Sequence, residues 1–160
     1  MYRKILVTLD GSDLSETAIP HAISVAKASS APLVLLQVVD SVAHIMTQAT
    51  PAGFDLGGGA MTAQVAEEAV SAQRQGAQEF LGAAKAEIEA VGVANVTTEL
   101  AEGSPGDAIV DAAERLGCDL IVMATHGRSG LGRVLLGSVA DHVVRHARNA
   151  AVLLVHPQES

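Results

Sequence analysis

Two loops of the chain combine residue types suited to holding an anion. Leu9-Asp10-Gly11-Ser12 closes a strand-like run and offers a carboxylate, a glycine and a hydroxyl. The richer loop runs from Ala124-Thr125-His126-Gly127-Arg128-Ser129-Gly130 through Gly132-Arg133 to Gly137-Ser138. Glycines at 127, 130 and 132 let backbone N–H groups approach a bulky anion with no Cβ in the way. Gly137-Ser138 opens a helix, whose free N–H groups and positive dipole end favour phosphate, and Ser138 adds a hydroxyl donor. Residues 126–148 carry four arginines against Asp141 alone, a local +3 inside a chain of formal charge −8.

Two common nucleotide fingerprints fail on these residues. A strict Gly-x-Gly-x-x-Gly is missing, and the first strand offers only Gly11. Gly132-Arg133-Val134-Leu135-Leu136-Gly137-Ser138 nearly spells a P-loop, but Ser138 stands where the phosphate-gripping Lys belongs. Among single residues, Asp10 is either a turn residue before glycine or a ligand contact at a switch point, the second being preferred. Ser138 either merely caps the last helix or also contacts a phosphate, two roles whose positions coincide. His126 has no acid or nucleophile to pair with and reads as a hinge or packing residue. His142 and His146, at i and i+4, are expected to be a solvated pair rather than metal ligands. Cys118 reads as a small buried hydrophobe.

The elements that position these loops follow from hydrophobic runs. Lys4–Leu9, Leu33–Val39, Asp119–Met123 and Val152–Val155 are continuous apolar stretches, whereas Val96–Leu100 alternates. Continuous runs suit strands covered on both faces, as in a parallel sheet. Asp13 and Glu16 predict a capping box for a helix over 14–29, kinked at Pro20. A second helix is expected over Met61–Ala90, with Val70, Gln73, Ala77, Phe80, Leu81, Ala84, Ile88 and Val91 on one face. Ser104-Pro105 starts a third, closed by Gly117, and the last runs from Gly137-Ser138 to about Arg148. Residues 40–60 are expected to form one long loop. Strand–helix alternation over 160 residues reads as one doubly wound α/β domain.

Composition bounds the rest. The chain is 49% hydrophobic with no Trp, one Tyr and two Phe, so the core is built from Val, Ile, Leu and Ala. The acidic balance argues against nucleic acid and anionic membranes as partners. A single cysteine cannot form an internal disulfide, and no apolar run approaches the roughly 18 residues needed to span a bilayer. A cytoplasmic location is expected. Val152–Val155, as a terminal strand, would lie at a sheet edge that invites pairing.

From His126-Gly127-Arg128-Ser129-Gly130 through Leu136-Gly137-Ser138-Val139-Ala140 the chain resembles the universal stress protein family. Ile5-Leu6-Val7 with Asp10-Gly11-Ser12, and Ile121-Val122-Met123, agree with it. The resemblance implies a Rossmann-like, doubly wound five-stranded parallel sheet in strand order 3-2-1-4-5, as a single domain over residues 1–160. The nucleotide-binding branch of the family carries Gly, two residues, Gly, nine residues, Gly, then Ser or Thr. Here Gly127, Arg128 to Leu136 and Gly137-Ser138 fit that spacing, while Ala124 takes the first glycine's place. Alanine is tolerated there on ordinary backbone and not at positive φ. A further departure is Thr8, where the family often has proline.

By the same resemblance Asp10 contacts the ribose or a phosphate-bound metal, and Val38 and Met123 frame the adenine. Gly127, Gly130, Gly137, Ser138 and Val139 hold the phosphates, with Thr8, Leu9 and Ala124 completing the site. Arg128 either neutralises phosphate or faces water. The implied ligand is ATP, with Mg2+ or Mn2+, and AMP or cyclic AMP are the other adenine nucleotides to consider. The implied role is a homodimeric stress-response binding module with no catalytic residues, pairing through residues 152–155. Two other readings are a slow ATPase or related ATP-consuming enzyme, and a nucleotide-free adaptor that binds partners through residues 40–60.

Overall fold

The computed structural model describes residues 1–49, 63–125 and 137–156. Five strands, β1 (Ile5–Leu9), β2 (Leu33–Val39), β3 (Val96–Glu102), β4 (Leu120–Ala124) and β5 (Ala151–Val155), form one sheet in the order β3-β2-β1-β4-β5. Every pairing is parallel, with Ile5 opposite both Leu33 and Leu120. Ile5, Leu6 and Val7 of the central strand are fully buried, because helices cover both faces of the sheet. Ile5, Val7, Leu33, Leu35 and Val122 pack into one core layer, whereas Leu6, Val34, Leu36, Ile121 and Met123 face the other. This is the doubly wound α/β architecture and strand order expected. β3 is half exposed as its sequence suggests, but without alternation: Val96 is buried, Thr97, Thr98 and Glu102 are exposed, and the three residues from Glu99 to Ala101 are half-buried.

Helices α1 (Asp13–Glu16) and α2 (Ala18–Ser29) replace the single kinked helix expected over 14–29. Pro20 has no N–H to donate to the Glu16 carbonyl, so the helical hydrogen-bond ladder is interrupted at Thr17, whose backbone stays helical at φ −61° and ψ −19°. Thr17 N and Oγ1 donate instead to the Leu14 carbonyl at 3.1 and 2.6 Å. Pro20 then lies in the first turn of α2, where no intrahelical donor is needed. The cap is Ser12, whose Oγ accepts from Ser15 N at 3.2 Å, so Asp13 is a first-turn residue and not the cap.

Within the stretch expected to be loop, Val42–Ala49 forms α3. Helix α4 (Ala63–Ala90) buries Ala66, Val70, Ala77, Leu81, Ala84 and Ile88. Gln73, the polar member of its stripe, accepts from Asp40 N at 3.1 Å and donates to Asp40 Oδ2 at 3.2 Å, tying α4 to the end of β2. Val91 is exposed, contrary to the helical count, because the chain leaves the helix and turns at Gly92 (φ +89°); Val93 is buried instead. Helix α5 (Pro105–Leu116) starts with proline and ends at Gly117 with φ +67°. Helix α6 (Ser138–His146) stops short of Arg148. Cys118 is buried, and desolvation pushes its thiol pKa up. Among the described residues no helix is long and apolar enough to cross a membrane.

Candidate functional site

β1 leads out to β2 on one side of the sheet, and β4 leads to β5 on the other. The carboxyl ends of β1 and β4 therefore flank the switch point at which open α/β sheets bind ligands. A cavity of ≈ 210 Å³ opens there, lined by Thr8, Leu9, Asp10, Ser15, Leu36, Val38, Pro105, Ile109, Met123, Ala124 and Val139. The structure thus brings together seven residues singled out in the sequence, from Thr8, Leu9 and Asp10 through Val38, Met123 and Ala124 to Val139. Ser15, Leu36, Pro105 and Ile109 were not anticipated. Leu36 and Ile109 are apolar core residues with no chemical signature. Ile109, however, lies one helical turn beyond Pro105, so a wall from α5 was open to inference.

Asp10 is the titratable group of this lining. Its Oδ1 accepts from Ser12 N at 2.9 Å and from the Ser12 hydroxyl at 2.5 Å. Ser15 Oγ accepts from Asp10 N at 3.2 Å and donates to Ser12 O at 2.8 Å. Burial pushes the Asp10 carboxyl up, but the hydrogen bonds from Ser12 and Ser15 outweigh it and hold the pKa below its ordinary value. Asp10 is therefore a fixed carboxylate at neutral pH. Both Ser12 bonds use Oδ1.

On the other wall, Ala124 lies within β4 and does not adopt positive φ, so its methyl group fits where the motif has glycine. Gly137 is the N-cap of α6, with φ −56° and ψ 154° and no side-chain capping bond. Its carbonyl accepts from Asp141 N at 2.9 Å, which closes the first turn. Ser138 is exposed and is the first helical residue, so the cap of α6 is Gly137 and the capping reading of Ser138 falls. Gly127, Arg128 and Gly130, with His126 and Arg133, lie outside the described residues.

His142 and His146 form a pair at the surface, His146 exposed and His142 half-buried, and the pair has partners. The His142 ring stacks on His146 with centroids 4.1 Å apart, and its Nε2 lies 2.8 Å from Asp107 Oδ1 across the α5–α6 junction. Among the described residues no group of three His, Cys, Asp or Glu side chains is placed to hold a metal ion. A second opening, ≈ 490 Å³, lies on the α4 side of Asp10 and is lined in part by Gln37, Asp40, Gln73 and Phe80.

A sequence model of the Universal stress protein family matches residues 1–156. Universal stress protein MJ0531 of Methanocaldococcus jannaschii is 35% identical over 160 residues, covering 99% of this chain and 85% of its own length. The structure of hypothetical protein MJ0577 superposes with a TM-score of 0.76 at 29% identity, covering 100% of this chain and 99% of that one. A universal stress protein solved in complex with cAMP superposes with a TM-score of 0.67 at 26% identity, covering 98% and 99% of the two chains. The chain belongs to the universal stress protein family.

Proposed function

We propose that this chain binds an adenine nucleotide, ATP in the first instance, and acts as a homodimeric stress-response binding module. The observation that carries the reading is the apolar cavity between Val38, Ile109, Met123 and Val139, with the Asp10 carboxylate at its rim. At ≈ 210 Å³ it is smaller than the ~300 Å³ at which pockets for whole drug-sized ligands begin. It therefore takes a flat base alone. Aliphatic side chains enclose that base, which is then recognised by shape and by backbone groups. Ribose and phosphates extend past Asp10 toward the N-terminus of α6, where free N–H groups favour negative charge. The cAMP carried by a family member supports this ligand class. Gly127, Gly130, Gly137, Ser138 and Val139 hold the phosphates in this reading. Any Mg2+ or Mn2+ arrives with those phosphates, and Asp10 Oδ2 is the carboxylate oxygen at hand for it or for the ribose.

The dimer forms through β5, the edge strand next to β4. Calorimetric titration of the purified protein with ATP, AMP and cyclic AMP tests the binding reading, and no heat from any of the three overturns it. Incubation with labelled ATP separates a binding module, which returns the nucleotide intact, from a slow ATPase.

A further inference from the structure

The ≈ 490 Å³ opening on the α4 side of Asp10 is a different space from the cavity proposed for the base. Leu36, Ile109 and Met123 of that cavity belong to one core layer, whereas Phe80, in the wall of the larger opening, packs on the layer across the sheet. The two spaces meet at Asp10, Val38 and Pro105. The larger one falls within the ~300–1,000 Å³ of small-molecule sites.

One residue of its wall has no account in packing. Gln37 lies on β2 between Leu9 of β1 and Leu100 of β3, in the layer that holds Leu33 and Leu35. Its Oε1 is buried with no hydrogen-bond partner among the described residues, a cost that an apolar residue of similar length avoids. The other end of the amide, Nε2, lies beside Gly11, where a Cβ would stand 3.8 Å from it, and both residues line the opening.

The charges of the lining have one sign. Asp10 and Asp40 both contribute to it, and no Lys or Arg does among the described residues. Asp10 is held as a carboxylate by its Ser12 bonds. Asp40 is braced by Gln73, whose Nε2 donates to Oδ2 at 3.2 Å, and by His44, whose Nε2 lies 3.6 Å from Oδ1. Neither partner carries a permanent positive charge. Arg74, next to Gln73 in the chain, is taken up by Glu102, with Nε 2.7 Å from Oε1. Val38, Ala77 and the Phe80 ring complete the wall with apolar surface. A phosphate or carboxylate is repelled by such a lining. An ammonium on an alkyl stem meets carboxylates at its head, apolar surface along its stem and an aromatic ring that attracts cations.

We propose that this opening is a second ligand site, for an aliphatic amine cation, with Asp10 and Asp40 as its anionic groups, Gln37 as a hydrogen-bonding group and Phe80 as its apolar wall. It does not depend on the nucleotide reading, since amine and base occupy opposite faces of the sheet.

The test follows backbone amides of the isotope-labelled full chain by NMR. Putrescine is titrated beside two molecules of the same carbon length, neutral butanediol and dianionic succinate, at constant ionic strength. Putrescine is expected to give saturable shifts of the Gln37, Gly76 and Phe80 amides, and the other two are not. Gly76 offers a blocking variant, because a Cβ there meets no described atom within 4 Å and its backbone is helical. Gly76→Leu should keep the fold, fill the opening and abolish the putrescine shifts. Asp40→Asn should weaken putrescine about fivefold, the scale of one partly exposed charge pair. No saturable shift with putrescine overturns the proposal, as does equal binding of butanediol or succinate, which marks a groove without charge selection. Putrescine shifts that persist in folded Gly76→Leu protein place the amine elsewhere and overturn it too. If Gly76→Leu unfolds, Asp40→Asn decides: unchanged affinity overturns the site, and the fivefold loss supports it.

Discussion

A Cβ placed on Gly106 would stand 2.7 Å from Cδ2 and 3.0 Å from Cβ of His142, so the two residues fit together only because residue 106 is glycine. The contact docks α6 on α5 and so fixes Val139 opposite Pro105 and Ile109 across the cavity. Gly106→Ala should destabilise the protein by ~1–3 kcal/mol, the cost of overpacking. In a His142→Ala background the ring contacts at 2.7 and 2.8 Å are gone and only the 3.0 Å contact with the Cβ of residue 142 remains, so the same change should cost less. Urea unfolding of the four proteins in the cycle measures this coupling.

Asp119 anchors the start of β1. Its Oδ1 accepts from Arg3 N at 2.9 Å and Lys4 N at 3.1 Å, and Arg3 Nε lies 3.2 Å from Oδ2. Burial pushes this carboxyl up, but the Lys4 and Arg3 N–H groups outweigh it and hold its pKa below the usual 3.8. A depressed folded-state pKa contributes stability in full above the unfolded value and loses it as pH falls through the folded one. Urea midpoints should therefore drop as the solution is acidified below about pH 4. Asp119→Asn should start lower at neutral pH and show a shallower drop. Asp10, also depressed, contributes in the same direction, so some acid sensitivity persists in the variant.

The strands were legible because Ile5, Leu6 and Val7 or Leu33 to Leu36 are apolar on both faces, a pattern with few other uses in a short run. Their spatial order was not contained in that periodicity and came from the family resemblance. Local rules failed where neighbours competed. Asp13 and Ser12 are both good caps, and Ser12 wins because its Oγ reaches Ser15 N. Pro20 allows either a kink or a break, and the Thr17 bonds to Leu14 decide for the break. At the site the polar residue Asp10 was readable from its glycine-flanked loop, whereas Leu36 and Ile109 look like any core residue. Pairing of His142 with Asp107, and the unsatisfied hydroxyl of Thr125, arise from contacts between distant segments and leave no trace in local sequence.

Asp10→Asn separates the two roles open to this carboxylate. The amide oxygen still accepts from Ser12 N, so the turn and the cap of α1 should survive, with unfolding little changed. Affinity for ATP with Mg2+ should fall about tenfold, as expected for one charge-assisted contact. An equal loss for AMP without metal places Asp10 on the ribose, and a loss confined to ATP with Mg2+ places it on the metal. Unchanged affinity in both titrations removes Asp10 from the site.

The edge of the sheet offers a backbone test of assembly. Ala151 N donates to Asp119 O at 3.0 Å and Thr125 N donates to Val155 O at 2.9 Å, which sets the alternation along β5. Ala151, Leu153 and Val155 turn their backbone groups to β4, and Val152 and Leu154 turn theirs outward. Proline at 152 thus removes an outward N–H and no bond to β4, as edge strands tolerate. If the proposed β5 dimer forms, Val152→Pro should remain folded and sediment as a monomer at concentrations where the wild type sediments as a dimer. Val152→Thr, which alters the side chain but keeps the N–H, should remain dimeric. If Val152→Pro sediments with the wild type as a dimer, the β5 backbone is not the interface, because a ladder across this edge requires that donor.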